Sequence, residues 1–307
     1  MLGRIVEIGS DNRHLSVDRG HLLIRGPDEQ KQRVALDDIA VLICNAHGLT
    51  CSANLVLRLA ERGAVVVFCG ANHLPTAWTL PIVGHHEQSG RMRAQLAASP
   101  ALRKRLWQRL VRAKVENQAA VLGAVGISGE ALASMARRVK PGDPDNLEGL
   151  AAQRYWPLLF GEGFRRNPDG GGANALLNWG YAVLRSAVAR AVVGAGLHPT
   201  PGIHHRSAVN PMCLVDDVME PFRPFVDLAV RRLVEEGNDE VGRESKARLV
   251  AVLYADLEVE GETSPMFVCL ERLTVSLARS FREGRVRLVL PHPPTALELA
   301  PVGRETC

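Results

Sequence analysis

Residues 202–224, GIHHRSAVNPMCLVDDVMEPFRP, place two histidines and three carboxylates in an otherwise apolar segment. Asp216, Asp217 and Glu220 stand among Leu214, Val215, Val218, Met219 and Phe222. A carboxylate is costly to desolvate unless a cation, a proton or hydrogen-bond donors compensate it. On a helix starting near Leu214, Asp217 and Glu220 are three apart and Asp216 and Glu220 four apart, so either pair can share a face. Pro221 falls inside the pattern and Pro224 follows, which predicts a kink. His204 and His205 are adjacent and point different ways, so one of them, not both, is expected to join any site. One imidazole with carboxylates suits a divalent ion. Oxygen ligands favour magnesium or manganese, and the imidazole tilts the preference toward manganese. The same acids could instead sit in a helix's first turn, complementing its dipole and capping free N–H groups. These residues alone leave both readings open.

Glu148, in DPDNLEGLAAQRYW, is a further candidate acid. Asp145-x-x-Glu148 is a capping-box variant, with Glu148 at the third position of a helix running through Ala152 and Tyr155. Residue types alone favour that cap. His85 and His86 have only Glu87 nearby in sequence and read as surface or loop residues. No P-loop, GxGxxG, HExxH or GxSxG occurs, which argues against phosphate-cradling, zinc-protease and serine-hydrolase chemistry.

The net charge is only +4, yet it is unevenly spread. All but five of the 37 basic residues are arginine, whose planar fork of donors matches phosphate. Codon bias in a GC-rich genome would produce the same excess. Residues 91–140 hold eleven basic residues against Glu116 and Glu130, so the remainder of the chain is net acidic. Within that block Arg105, Arg109 and Arg112 recur at i, i+4, i+7 and share a helix face, with Arg103 just before them. The stripe fits a nucleic-acid backbone; a solvated helix face is the bland alternative. The six cysteines form no CxxC pair, and MLGRIVEIGS has no secretory character, so reduced thiols in an intracellular, cytoplasmic protein are expected. The most apolar long segment, 175–197, carries Arg185 and Arg190, which argues against a membrane span.

These residues need a scaffold, and 307 residues allow two domains. The pattern predicts an α+β chain: a small β-rich domain over 1–85, a linker over 86–100, a larger helical domain over 101–290 and a tail over 291–307. GRIVEIG, HLSVD and HLLIR read as short strands, with Asp18-Arg19-Gly20 as a hairpin turn. IAVLIC (39–44) and AVVVFC (64–69) read as buried strands. Between them runs a helix with Ser52 as N-cap and Gly63 just past its end. Pro75, Pro81 and Gly84 mark loops. Helical periodicity then covers 102–115, 174–193, 213–234, 243–254 and 266–282. Only VRLVL (286–290) reads as a late strand.

Several segments together resemble a known family: NLEGLAAQRYW (146–156), NALLNWGYAVLRSAVARAVVGAGLHP (174–199), GIHHRS (202–207) and LVDDVMEPFRPFVD (214–227). They are similar, in the same order, to the CRISPR-associated integrase that inserts new spacers into CRISPR arrays, the Cas protein numbered one. FCGANHLP (68–75) resembles the branch accompanying the Cas9-type effector. The resemblance implies a homodimer with one metal-dependent active site per helical lobe. It implies Glu148, His205 and Glu220 as ligands of Mg2+ or Mn2+ and as catalytic residues, with Asp217 as an alternate ligand or a support. It also implies a DNA-joining reaction in which a 3′-hydroxyl attacks a phosphodiester at the edge of the CRISPR repeat. Expected DNA contacts are Arg103, Arg105, Arg109, Arg112, Arg206 and Arg223. Asn178, with Asn174, is expected either to touch DNA or to support the ligand loops. Expected partners are double-stranded DNA, a second copy of the chain, the small adaptor Cas two and a Cas9-type effector.

Overall fold

The computed structural model describes residues 3–27, 31–71 and 75–295. The N-terminal strands are β1 (Arg4–Ile8), β2 (His14–Asp18), β3 (His21–Arg25), β4 (Lys31–Ala35), β5 (Ile39–Cys44), β6 (Thr50–Cys51), β7 (Val65–Cys69) and β8 (Pro75–Thr79). One sheet has the order β4-β3-β2-β6 and the other β1-β5-β7-β8. β2 and β3 form the expected hairpin. Arg19 and Gly20 both have positive φ, at 48° and 79°, which turns the chain in the sense that matches strand twist. Helix α1 (Ala53–Glu61) starts at Ser52, whose side chain accepts from Leu55 N.

β5 and β7 are parallel neighbours. Their alternating side chains explain how the two parts of the chain join. Val41, Ile43, Val65 and Val67 face the large helical core, while Leu42, Cys44 and Val66 belong to the smaller N-terminal core. A sheet covered on both faces needs such continuous apolar strands. Pro75 therefore does not mark a loop. It opens β8, the sheet's edge strand, where a missing N–H is tolerated.

The helices are α2 (Gln88–Ala97), α3 (Pro100–Ala124), α4 (Glu130–Arg138), α5 (Leu147–Phe160), α6 (Ala173–Gly194), α7 (Cys213–Met219), α8 (Arg223–Glu235), α9 (Arg243–Ala251) and α10 (Met266–Glu283). The span expected as a linker, 86–100, thus contains α2, which packs on α10. α6 is the central helix, buried along most of its length and packed against α7, α8, α9 and α10. The predicted kink is present: a 3-10 turn at Glu220–Phe222 separates α7 from α8.

Two expectations about strands fail. A short hairpin, β9 (Asp256–Val259) with β10 (Glu262–Pro265), lies inside the helical part. Residues 286–290 are not a strand. The amides of Arg287 and Val289 donate to the hydroxyls of Ser280 and Ser276 on α10, at 2.9 and 3.0 Å. The run is apolar because it packs along a helix, with its backbone satisfied by serines.

Candidate metal and DNA site

Helix α5 begins at a cap the sequence misplaces. Asn146, in the left-handed region at φ 50°, is the N-cap and accepts from Gly149 N. Asp143 takes the amides of Leu147 and Glu148, both at 2.9 Å. Asp145 instead pairs with Lys140 at 2.8 Å. Two other side chains fill the capping role, so the Glu148 carboxylate is free to face Lys114 on α3, 2.7 Å away.

Lys114 Nζ also lies 2.5 Å from Glu220 Oε2. The other oxygen of Glu220 accepts from Arg223 Nε at 2.7 Å. Glu220 is 7% exposed, and the Lys114 ammonium is the partner of its buried Oε2. Burial pushes this carboxyl up, but Arg223 and Lys114 outweigh burial and hold it at about 2. The same pairing raises Lys114 and Arg223, against burial that would lower both. Arg223 further stacks over the Tyr181 ring, 4.6 Å from its centroid.

His205 arrives on the loop between α6 and α7. Its Nδ1 lies 2.6 Å from Asp217 Oδ1. Asp217 is fully buried and also accepts from the amides of Ile203, His204 and His205 at 2.5, 2.9 and 3.2 Å. Gly202 is required here, because a Cβ would stand 2.4 Å from His205 O and 2.8 Å from Asp217 Oδ2. Asp217 is thus consumed in shaping the loop, and its expected service as an alternate ligand has no free lone pair in this arrangement. The two histidines do part company. His204 stacks flat on Trp107, with centroids 4.4 Å apart, and His205 turns to Asp217. The bond to Asp217 raises His205; burial opposes, and the charges of Asp217, Glu220 and Glu148 add to the rise.

The donor set fits a divalent ion on two counts. Glu220 and Glu148 each turn a carboxylate oxygen to one shared cation position, filled here by the Lys114 ammonium. His205 has one ring nitrogen fixed by a carboxylate, leaving Nε2 to ligate, the usual support of a metal-bound imidazole. The three side chains do not close fully on one another. Among the described residues, the group whose ligand atoms all lie within 4.8 Å is His85, His86 and Glu87. Those three are consecutive and solvent-facing, and Glu87 already pairs with Arg91 at 2.9 Å.

Asp216, the remaining acid of the opening segment, is turned away from Glu220. Arg185 grips it through Nε and a terminal nitrogen at 2.7 and 2.9 Å, and Asn210 donates at 2.6 Å.

The expected DNA contacts separate into two groups. Arg105 and Arg109 are exposed on α3. Arg206 is exposed beside His205, lining a cleft of about 490 Å3. Arg103, Arg112, Asn178 and Arg223 are occupied within the protein. Arg103 donates to Gly202 O at 2.6 Å and to Gln95 O at 2.8 Å. Arg112 donates to Ala136 O at the end of α4. Asn178 donates to Pro168 O and accepts from Arg166, while Asn174 accepts from Arg166 and Asn167 N, so both brace the 161–172 loop. At roughly 100° per residue, Lys114 sits about half a turn around α3 from Arg105 and Arg109. The stripe and the carboxylate site therefore occupy opposite faces of one helix.

Residue types alone missed three contributors. Lys114 appeared only as one charge in the basic block. Its signal was its place in the apolar seam of Val111, Val115 and Val121, where a lysine needs a buried partner. Gln95 is fully buried and accepts from His198 N while donating to His198 O and Pro201 O, all at 2.9 Å, so α2 holds the root of the histidine loop. Asp227, fully buried on α8, takes the hydroxyls of Tyr155 at 3.1 Å and of Tyr181, tying α5 and α6 to α8 behind the site.

A family model described as CRISPR associated protein Cas1 matches residues 6–247. The chain belongs to the Cas1 family. It is 38% identical over 266 residues to the CRISPR-associated endonuclease Cas1 of Neisseria meningitidis serogroup C (strain 8013), covering 85% of this chain and 87% of the relative. Its fold is similar to a casposase bound to integration product, with a TM-score of 0.80, 19% identity and coverage of 98% and 96%. It is also similar to a chain of a Cas6-RT-Cas1–Cas2 complex, with a TM-score of 0.72, 16% identity and coverage of 92% and 35%. This Cas1-family chain is an enzyme, and its strand-rich N-terminal part followed by a helical part is the family architecture. Among the described residues, no helix is long and apolar enough to cross a membrane.

Proposed function

We propose that the chain is a metal-dependent DNA endonuclease and integrase of CRISPR adaptation, joining the 3′-hydroxyl ends of short DNA fragments into the CRISPR array by transesterification. The observation that carries this reading is the convergence of two carboxylates, Glu148 and Glu220, on one point between them, now held by the Lys114 ammonium, with His205 presented by buried Asp217. Glu148, His205 through Nε2 and Glu220 would hold Mg2+ or Mn2+. Such an ion polarises the scissile phosphate and stabilises charge on the attacking and leaving oxygens. Asp217 fixes the tautomer and direction of His205. Arg223 keeps Glu220 ionised, and Arg206, exposed beside His205, is placed to take a phosphate. Water in place of the 3′-hydroxyl gives hydrolysis; the reverse reaction takes branched DNA apart, resealing the target strand and freeing the fragment's 3′-hydroxyl.

Arg105 and Arg109 bind duplex backbone without reading sequence. A homodimer and the adaptor Cas2 are the proposed protein partners, a reading supported by the fold likeness to a chain of a complex containing Cas2. Association with a Cas9-type effector rests on FCGANHLP (68–75), of which residues 72–74 lie outside the described residues.

The test uses labelled 3′-hydroxyl DNA, a plasmid carrying the repeat, and Mn2+ or Mg2+. Strand-transfer products are expected from the wild type and lost in His205→Ala, which largely retains duplex binding and melting temperature, and in Glu220→Ala, which melts lower because Lys114 and Arg223 lose a buried partner. Cleaved but unjoined DNA from the wild type would identify a branched-DNA nuclease instead. Unchanged joining by Glu220→Ala would remove the carboxylates from the chemistry.

A further inference from the structure

Lys114 is the feature that the proposed reaction does not use. Its ammonium bridges Glu148 and Glu220, the two acids assigned to the ion, at 2.7 and 2.5 Å, and its side chain is 12% exposed. An ion held by both acids would lie about 2.0–2.2 Å from their oxygens. Two cations within reach of the same oxygens in a poorly solvated gap repel strongly. The stem of Lys114 is flexible enough to move, but the apolar seam offers its charge nothing, since Val111 and Val115 are fully buried. The polar outlet is the site mouth, where Glu148 is 21% and His205 46% exposed. Charge counting points the same way. Glu148 and Glu220 balance Lys114 and Arg223. A divalent ion alone therefore leaves this cluster at plus two, and one phosphodiester then lowers it to plus one.

We propose that Lys114 couples ion binding to DNA binding: its ammonium holds the place between Glu148 and Glu220, and when the ion enters it moves out to pair with a phosphodiester oxygen. The inference rests on the metal reading given above. Lys114 is a positioning residue for the ion and a phosphate contact once DNA is bound. The ion binds weakly to the bare protein and tightly only with DNA present, which restrains the site until its substrate arrives. By reciprocity, the ion must strengthen DNA binding by the same factor.

The experiment measures Mn2+ affinity of the full chain by electron paramagnetic resonance, and affinity for a 3′-hydroxyl duplex with and without Mn2+. Lys114→Gln is expected to bind Mn2+ about tenfold more tightly than wild type without DNA, and to lose most of the coupling between Mn2+ and duplex. Equal or weaker Mn2+ binding by Lys114→Gln would overturn the proposal. Glu148→Gln separates the two layers of argument. If it binds Mn2+ like wild type, the metal reading itself fails. If it loses Mn2+ while Lys114→Gln is unchanged, only the role of Lys114 fails. Removing a buried cation can also unfold a protein, so melting is followed with and without Mn2+. A Lys114→Gln chain that folds only at saturating Mn2+ supports the proposal, because the ion has replaced the ammonium. One that stays unfolded at saturating Mn2+ contradicts it.

Discussion

Asp217 Oδ1 lies 2.6 Å from His205 Nδ1, and the same carboxylate collects three consecutive backbone amides of the loop that carries the imidazole. One buried side chain thus sets both the path of the loop and the ring it presents. Asp217→Asn replaces an acceptor oxygen with a donor facing those amides. Each charged hydrogen bond lost costs about 2 kcal/mol, and loss of a carboxylate behind a metal-bound histidine costs about 10–100-fold in metal affinity. Calorimetric melting and Mn2+ titration should both register the change; wild-type Mn2+ affinity in this variant would show that Asp217 does not orient His205.

Gly202→Ala tests the same loop from its other side. The added methyl meets His205 O and Asp217 Oδ2 well inside contact distance, so the loop must shift. Overpacking of this kind costs about 1–3 kcal/mol. A lowered melting temperature with a larger fractional loss of strand transfer than of duplex binding is expected.

Asp227 gives a pH signature. Burial raises its carboxyl to about 7 from 3.8, although the Tyr181 and Tyr155 hydroxyls pull it down. An acid raised on folding stabilises the fold fully at low pH, and that contribution is lost as pH rises toward about 7. Asp227→Asn removes the dependence. Its melting temperature relative to wild type should therefore climb between about pH 4 and pH 7 and then level off. A constant difference across that window would show that the carboxyl is ionised throughout.

Arg105 and Arg109 face solvent, whereas Arg112 is tied to the end of α4. Reversing Arg105 and Arg109 to glutamate should weaken duplex binding and reduce the slope of log affinity against log salt by about two. Arg112→Ala should lower the melting temperature and leave that slope nearly unchanged. An unaltered slope in the double reversal would mean that the stripe meets something other than DNA.

The scaffold was legible where a pattern is local and long. IAVLIC and AVVVFC are apolar at every position because both faces of their sheet are covered, and α6 shows its buried periodicity over 22 residues. VRLVL misled because strand-like composition does not say which partner satisfies the backbone, and here serines of α10 do so. The four-residue strands of the 256–265 hairpin are too short and too charged to announce themselves. In the site, residue types nominated the 216–220 acids and one of the two histidines, with a helix cap as the open alternative; Glu148 and the choice of His205 came from the family resemblance. Their division of labour could not be read that way, because it depends on which backbone amides Asp217 reaches and on Asp143 relieving Glu148 of capping. Lys114 was hidden for a related reason: a lysine within a basic block reads as solvated until its helix face is known.

The central claim is that Glu148, His205 and Glu220 grip one divalent ion. Anomalous diffraction from crystals soaked in Mn2+ tests it most directly. The expected result is one strong peak touching both carboxylates and His205 Nε2, with Lys114 displaced. A peak confined to His85, His86 and Glu87, from protein that still joins DNA ends, would contradict it.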